Sequence, residues 1–146
     1  MVMMIVLLLE KASYVAGWRD ANGLTPLHKA AYLNKTINLI VIKLIFNYCP
    51  QSVEVCDSFG KSILHHLVNR ILDLSEGTDF LHQTYMDGLK NHQDHDGNTA
   101  LHLSTLHSDF IMTYMLTYTF EGNLTLQNND GLSPSSLLEQ KHMSKV

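Results

Sequence analysis

Nine histidines and two cysteines give this 146-residue chain most of its chemical reach. The densest group is His92-Gln93-Asp94-His95-Asp96, two imidazoles and two carboxylates within five residues. Both groups ligate divalent metals, so a metal-binding domain at His92–Asp96 is one reading of the tract. The tract has no tetrahedral ligand spacing and no helix face to gather the groups, and Asp94 and Asp96 serve equally well as turn-formers. Metal binding is therefore the remote alternative. Cys49 and Cys56 have six residues between them, not the two of a zinc knuckle or redox pair, and they make no disulfide framework. They read as reduced thiols of a cytosolic protein. No motif sets either thiol beside a base, and the glycines stand singly at turns instead of in a phosphate-cradling loop. The sequence predicts no catalytic residue, no cofactor, no bound metal and no enzymatic activity.

Three further histidines sit inside a recurring phrase. Asp20-Ala-Asn-Gly23-Leu-Thr25-Pro26-Leu27-His28 returns as Asp57-Ser-Phe-Gly60-Lys-Ser62-Ile-Leu64-His65 and as Asp94-His-Asp-Gly97-Asn-Thr99-Ala-Leu101-His102. A shorter copy, Asn128-Asn-Asp-Gly131-Leu-Ser133-Pro134, follows, and the four glycines are 37, 37 and 34 residues apart. Each position has a physical task. Asp and Asn ahead of the glycine form a tight turn, and glycine supplies the positive φ. Thr25, Ser62, Thr99 and Ser133 fall at helix N-caps. Pro26 and Pro134 fall at the first helical position, where a missing N–H costs nothing. Leu27, Leu64 and Leu101 begin the buried face. Because His28, His65 and His102 follow the repeat period, their rings are expected to bond the backbone of the adjacent turn and not to form a site.

Behind each phrase there is room for two short helices. The first unit has Leu27–Leu33 and Ile37–Tyr48 around a turn at Asn34–Thr36. The second has Leu64–Leu72 and Phe80–Met86 around Ser75–Thr78, and the third has Leu101–Leu106 and Phe110–Phe120. Ile37–Tyr48 is apolar nearly all round and needs cover from stacked neighbours. Met1–Leu9 reads as the second helix of an incomplete repeat, since a bilayer span needs about 20 residues. Pro134–Leu138 reads as one helix before a polar tail, Glu139–Val146. The chain thus divides into a partial repeat at 1–19, repeats at 20–56, 57–93 and 94–127, and a partial terminal repeat with tail at 128–146. The predicted fold class is all-α, a solenoid of helix-turn-helix units joined by β-hairpin-like turns. Its incomplete ends point to a fragment of a longer repeat protein.

Gly-Leu-Thr-Pro-Leu-His-Lys-Ala-Ala (Gly23 to Ala31) and Asp-Gly-Asn-Thr-Ala-Leu-His-Leu (Asp96 to Leu103) resemble the ankyrin signature. More narrowly, Tyr48-Cys-Pro-Gln-Ser-Val-Glu-Val-Cys-Asp57 and Leu126-Gln-Asn-Asn-Asp-Gly-Leu-Ser-Pro134 are similar to plant ankyrin proteins with a C-terminal membrane region, the PGG-domain family linked to defence and stress signalling. The resemblance implies an ankyrin-repeat solenoid facing the cytoplasm and acting as a protein–protein interaction module. Its alternative implication is the soluble regulatory part of a membrane-anchored plant signalling protein whose transmembrane region is absent from this chain. The repeats exceed the ankyrin length of about 33 residues, with additions near Asn34–Asn38 and Ser75–Asp79.

With 45% hydrophobic residues the chain is not disordered in composition, and a net charge of −4 without a basic block gives no electrostatic grip on nucleic acid or an anionic membrane. The first nine residues carry no Lys or Arg, which argues against a signal peptide. The sequons at Asn34–Thr36 and Asn123–Thr125 matter only to a secreted chain. The expected partner is another protein. Nucleic acid and direct membrane insertion are not expected, and self-association through the Met1–Leu9 helix is an open route. Stacked repeats bind along one concave side and at their turn tips. The candidates there are Asn22, Tyr32, Phe59, His66, Arg70, His95, Asp96, His107 and Asp109. Phe59, an aromatic at a tip, suits an anchor, and the acidic tips favour a basic partner surface.

Overall fold

The first repeated phrase becomes helix α1, Pro26–Ala30, and the apolar run behind it becomes α2, Lys35–Tyr48. The second phrase opens α3, Ile63–Leu67. The third opens α4, Ala100–Leu106, followed by α5, Phe110–Tyr114, which runs on as a π turn at Met115–Thr119. The fourth opens α6, Pro134–Met143. Turns of 3-10 helix lie at Ser13–Gly17, Pro50–Glu54 and Thr84–Leu89. This computed structural model describes residues 13–33, 35–70 and 84–144, together with Met3, Leu7, Glu10, Lys11 and Gly77. The expected Met1–Leu9 helix and Ser75–Thr78 turn lie outside the described residues apart from Met3, Leu7 and Gly77. The start of the expected Phe80–Met86 helix also lies outside them. Among the described residues the regular structure is entirely helical, compatible with the all-α expectation.

One turn is built four times. In it a single side-chain oxygen accepts two backbone N–H groups. Asp20 Oδ1 takes those of Asn22 and Leu24 at 2.9 Å each. Asp57 Oδ1 takes those of Phe59 and Lys61 at 2.8 and 2.9 Å. Asp94 Oδ1 and Asn128 Oδ1 repeat the pattern with Asp96 and Asn98, and with Asp130 and Leu132. Each turn ends on a glycine at φ +74° or +75°, a conformation that carries a penalty for any residue with a Cβ. Successive turns are tied by one backbone bond each, Ser58 N to Asn22 O, His95 N to Phe59 O and Asn129 N to Asp96 O, at 3.2, 3.0 and 3.0 Å. The glycines therefore serve twice, because a Cβ on Gly23, Gly60 or Gly97 would sit 2.5 to 2.6 Å from the next turn.

Pro26 and Pro134 start their helices, and Thr25, Ser62, Thr99 and Ser133 precede theirs in extended conformation. The hydroxyls of Thr99 and Ser133 accept the N–H three residues on, at 3.3 and 3.2 Å. Leu27, Leu64 and Leu101 face the continuous core. It also holds Ile42, Ile45 and Phe46 from α2 and Met112, Met115 and Leu116 from the third unit.

Helix ends depart from the sequence reading where a distant group intervenes. The expected Leu64–Leu72 helix stops at Leu67, because Asn69 turns to φ +64° and donates its N–H to Asp109 Oδ2 at 2.6 Å. The expected helix Pro134–Leu138 continues to Met143, through what read as a polar tail. Lys141 is the reason: its Nζ donates to the Leu106 carbonyl and Ser108 Oγ at 2.7 and 2.8 Å, and also to the Thr105 carbonyl. A cation on the last carbonyls of α4 answers both its unpaired acceptors and its dipole.

Candidate functional site

The three periodic histidines are structural in their contacts. Nδ1 of His28, His65 and His102 accepts the backbone N–H of Thr25, Ser62 and Thr99 at 3.1, 3.2 and 3.1 Å. A ring nitrogen that accepts an N–H carries no proton, so the neutral ring holds its hydrogen on Nε2. His65 Nε2 donates it to the Asn98 carbonyl at 2.9 Å and His102 Nε2 to that of Leu132 at 3.1 Å, each in the next turn. His28 faces the corresponding carbonyl of Lys61 without closing a hydrogen bond. Burial lowers all three, His28 and His65 to about 4. In the fourth unit Ser136 stands at this position, with its Oγ accepting the Ser133 N–H at 2.9 Å.

Beside that ladder lies a chain of contacts with no counterpart in the third unit. His66 Nε2 meets Asp57 Oδ2 at 3.0 Å, and its Nδ1 meets the Tyr32 hydroxyl at 2.8 Å. The Arg70 guanidinium lies 4.8 Å from the centroid of the Tyr32 ring, a cation–π geometry. Burial pushes the Asp57 carboxyl up, but the N–H groups of Lys61 and Phe59, with His66, hold it below its ordinary value. Burial lowers His66 against the pull of Asp57. The first unit has the same pairing in an exposed form, Lys29 Nζ to Asp20 Oδ2 at 2.9 Å. The third has Leu103 at the pairing position, and Asp94 Oδ2 is buried without a partner.

Two shallow depressions adjoin here. The first is bordered by Asn22, Leu24, Tyr32, Phe59, Lys61 and His66, above Asp57. The second, towards the third unit, is bordered by Asn69, Arg70, Leu103 and His107 and shares Tyr32, Lys61 and His66. They make one groove across three units. Six of the sequence candidates line it: Asn22, Tyr32, Phe59, His66, Arg70 and His107. His95 and Asp96 lie in the exposed turn behind, and Asp109 is occupied, taking the Asn69 N–H with one oxygen and capping α5 at Met112 with the other. Sequence reasoning missed Lys61 and Asn69. Lys61 follows a repeat glycine where the other units have Leu24, Asn98 and Leu132, and that variability was the available signal.

The acidic tips need correcting. Asp57 and Asp94 are 7% and 6% exposed, their carboxylates turned inward onto backbone N–H groups. Of the carboxylates counted as tips, Asp96 and Asp130 stand in solvent and Asp20 is half-exposed beside Lys29. The His92–Asp96 tract is likewise dispersed into separate tasks. Asp94 builds its turn, while His92 Nε2 donates to the Gly60 carbonyl at 2.9 Å with Cys56 Sγ at 3.3 Å. A protonated Nε2 cannot take the thiol's proton, and burial pushes the Cys56 thiol up. Among the described residues no three His, Cys, Asp or Glu side chains converge as metal ligands. Nor, among them, is any helix long and apolar enough to cross a membrane.

An all-helical repeated array with a groove across its units is the class these observations define. No family model matches the chain. It is 28% identical over 150 aligned positions to Transcription factor MBP1 of Saccharomyces cerevisiae, covering 92% of this chain and 18% of that protein. It is also 28% identical over 131 positions to Transcription factor MBP1 of Kluyveromyces lactis, covering 82% of this chain and 17% of that protein. The chain spans less than a fifth of the length of these curated relatives. The resemblance to the plant PGG-domain membrane family is overturned by them: the similarity runs to fungal transcription factors. The motifs that carried the plant assignment, Tyr48–Asp57 and Leu126–Pro134, are turn and cap residues in the structure, and such chemistry is shared by any array of this geometry.

Proposed function

We propose that the chain is an ankyrin-type array with units at 20–56, 57–93 and 94–127 between partial units, and that it docks a protein partner along the groove. The observation that carries this reading is the groove itself, which crosses unit boundaries and exposes Tyr32 and Phe59 at 51% and 62%. Half-exposed aromatics in a shared depression suit the anchoring contacts of a protein interface. The bound turns, repeating with the sequence period, support the ankyrin-type architecture. The reading is non-enzymatic: the relatives' name is that of a transcription factor, and Tyr32, His66 and Asp57 bond one another within the groove. Cys49 and Cys56 are free thiols, compatible with any reducing compartment, cytosolic or nuclear. The relatives' name supports a setting in gene regulation and leaves the exclusion of nucleic acid unsupported for a longer protein. Within this stretch a protein remains the favoured ligand.

Site-specific photo-crosslinking in cell extract tests it. A photoreactive residue placed at Tyr32 or Phe59 is expected to capture a defined protein. One placed at Tyr118, exposed on the third unit outside the groove, is expected to capture none. Capture only from position 118, or from none of the three, overturns the groove as the docking surface.

A further inference from the structure

The groove has a charge that the chain as a whole does not. Of the residues bordering it, Lys61 and Arg70 are full cations, and neither has an ion-pair partner among the described residues. The one carboxylate bordering it among the described residues, Asp57, is already committed, one oxygen to two backbone N–H groups and the other to His66. We propose that the groove receives an acidic peptide segment, whose carboxylates seat between Lys61 and Arg70 against the Tyr32 ring. The inference rests on the docking reading above and names the chemistry of the partner. It also departs from the expectation of a basic partner, because two of the tip carboxylates behind that expectation, Asp57 and Asp94, point inward.

The cations are held for the task. Arg70 follows Asn69, whose backbone is fixed at φ +64° by the Asp109 carboxylate, and its own N–H bonds the Leu67 carbonyl at 2.9 Å. The Arg70 guanidinium lies over the Tyr32 ring, and a planar fork of donors suits an incoming carboxylate. Lys61 follows Gly60 directly, so its backbone is fixed by the turn, and it borders both depressions. His107 and Asn69 border one end, and Phe59 offers apolar area at the other. A nucleic acid fits less well. Such binders neutralise on the order of 6 to 10 phosphates, whereas this groove offers two full cations in a chain of net charge −4.

The test is selection from a random 12-residue peptide library displayed on phage, using the whole chain as bait. Selected peptides are then measured by fluorescence anisotropy against wild type, Lys61→Gln, Arg70→Gln and Tyr32→Ala, with thermal melts confirming that each variant folds. Enrichment in Asp and Glu is expected, with binding weakened about tenfold by either cation substitution and by Asp/Glu-to-Gln changes in the peptide. Peptides that lose binding in Tyr32→Ala but ignore both cation substitutions would leave the groove standing and end the acidic proposal. Peptides indifferent to all three variants would end the groove reading as well. A single-stranded oligonucleotide that binds the same groove more tightly than the best acidic peptide would also overturn the proposal.

Discussion

His28 and His65 are buried at 0% and 4% exposure, and both pKa values sit near 4 against an ordinary 6.5. Each ring is neutral in the folded protein and charges freely once unfolded, so between pH 6.5 and 4 the unfolded state binds more protons. The stability these rings contribute is therefore full above about 6.5, falls as pH drops through that window, and is lost below about 4. Each ring accounts for up to roughly 3 kcal/mol of the loss, a large share of the 5–15 kcal/mol typical of a domain. Urea unfolding at steps from pH 7 to 4 checks the direction. A midpoint that holds constant down to pH 4.5 would contradict the buried neutral tautomer. The sequence marked these positions as architectural by their period and pointed to a bond with the adjacent turn, which His65 makes to the Asn98 carbonyl and His28 does not close.

The turns, read as elements, differ in how their carboxylates are satisfied. Asp94 uses Oδ1 for its turn and leaves Oδ2 buried and unpaired, because Leu103 stands where the first two units have Lys29 and His66. Asn128 already performs the same turn in the fourth unit, with its amide donating to Asn98 Oδ1 at 2.9 Å. Asp94→Asn is thus expected to leave stability within about 0.5 kcal/mol of wild type or to raise it. Asp57→Asn presents an amide donor to the His66 Nε2–H and is expected to cost about 1–2 kcal/mol. Equilibrium urea unfolding of the pair at pH 7 decides it, and equal losses would refute the contrast. Helix ends were less legible than turns. Those of α3 and α6 are set by Asp109 and Lys141, which reach them from other units.

Among the described residues the units are coupled by one backbone bond between successive turns and by a core running from Ala16 to Phe120. Nearest-neighbour coupling of this kind makes a short array melt as one. A far-UV circular dichroism melt is expected to show a single helical transition, unchanged by chelator or by added zinc. A midpoint that moves with metal would restore the His92–Asp96 tract as a ligand set. A melt without a cooperative transition would mean that this stretch draws its stability from neighbouring sequence.

The sequence by itself determined the turns, the caps, the period and the all-α class. These depend on contacts within a few residues: glycine at positive φ, a side chain accepting the next N–H groups, a proline at the first helical position. Only the tertiary structure decided which way the acidic side chains face, where α3 and α6 stop, and that Tyr32, His66 and Arg70 meet. Tyr32 and Arg70 are brought together by the stacking of separate units, and no local pattern encodes the charge that results.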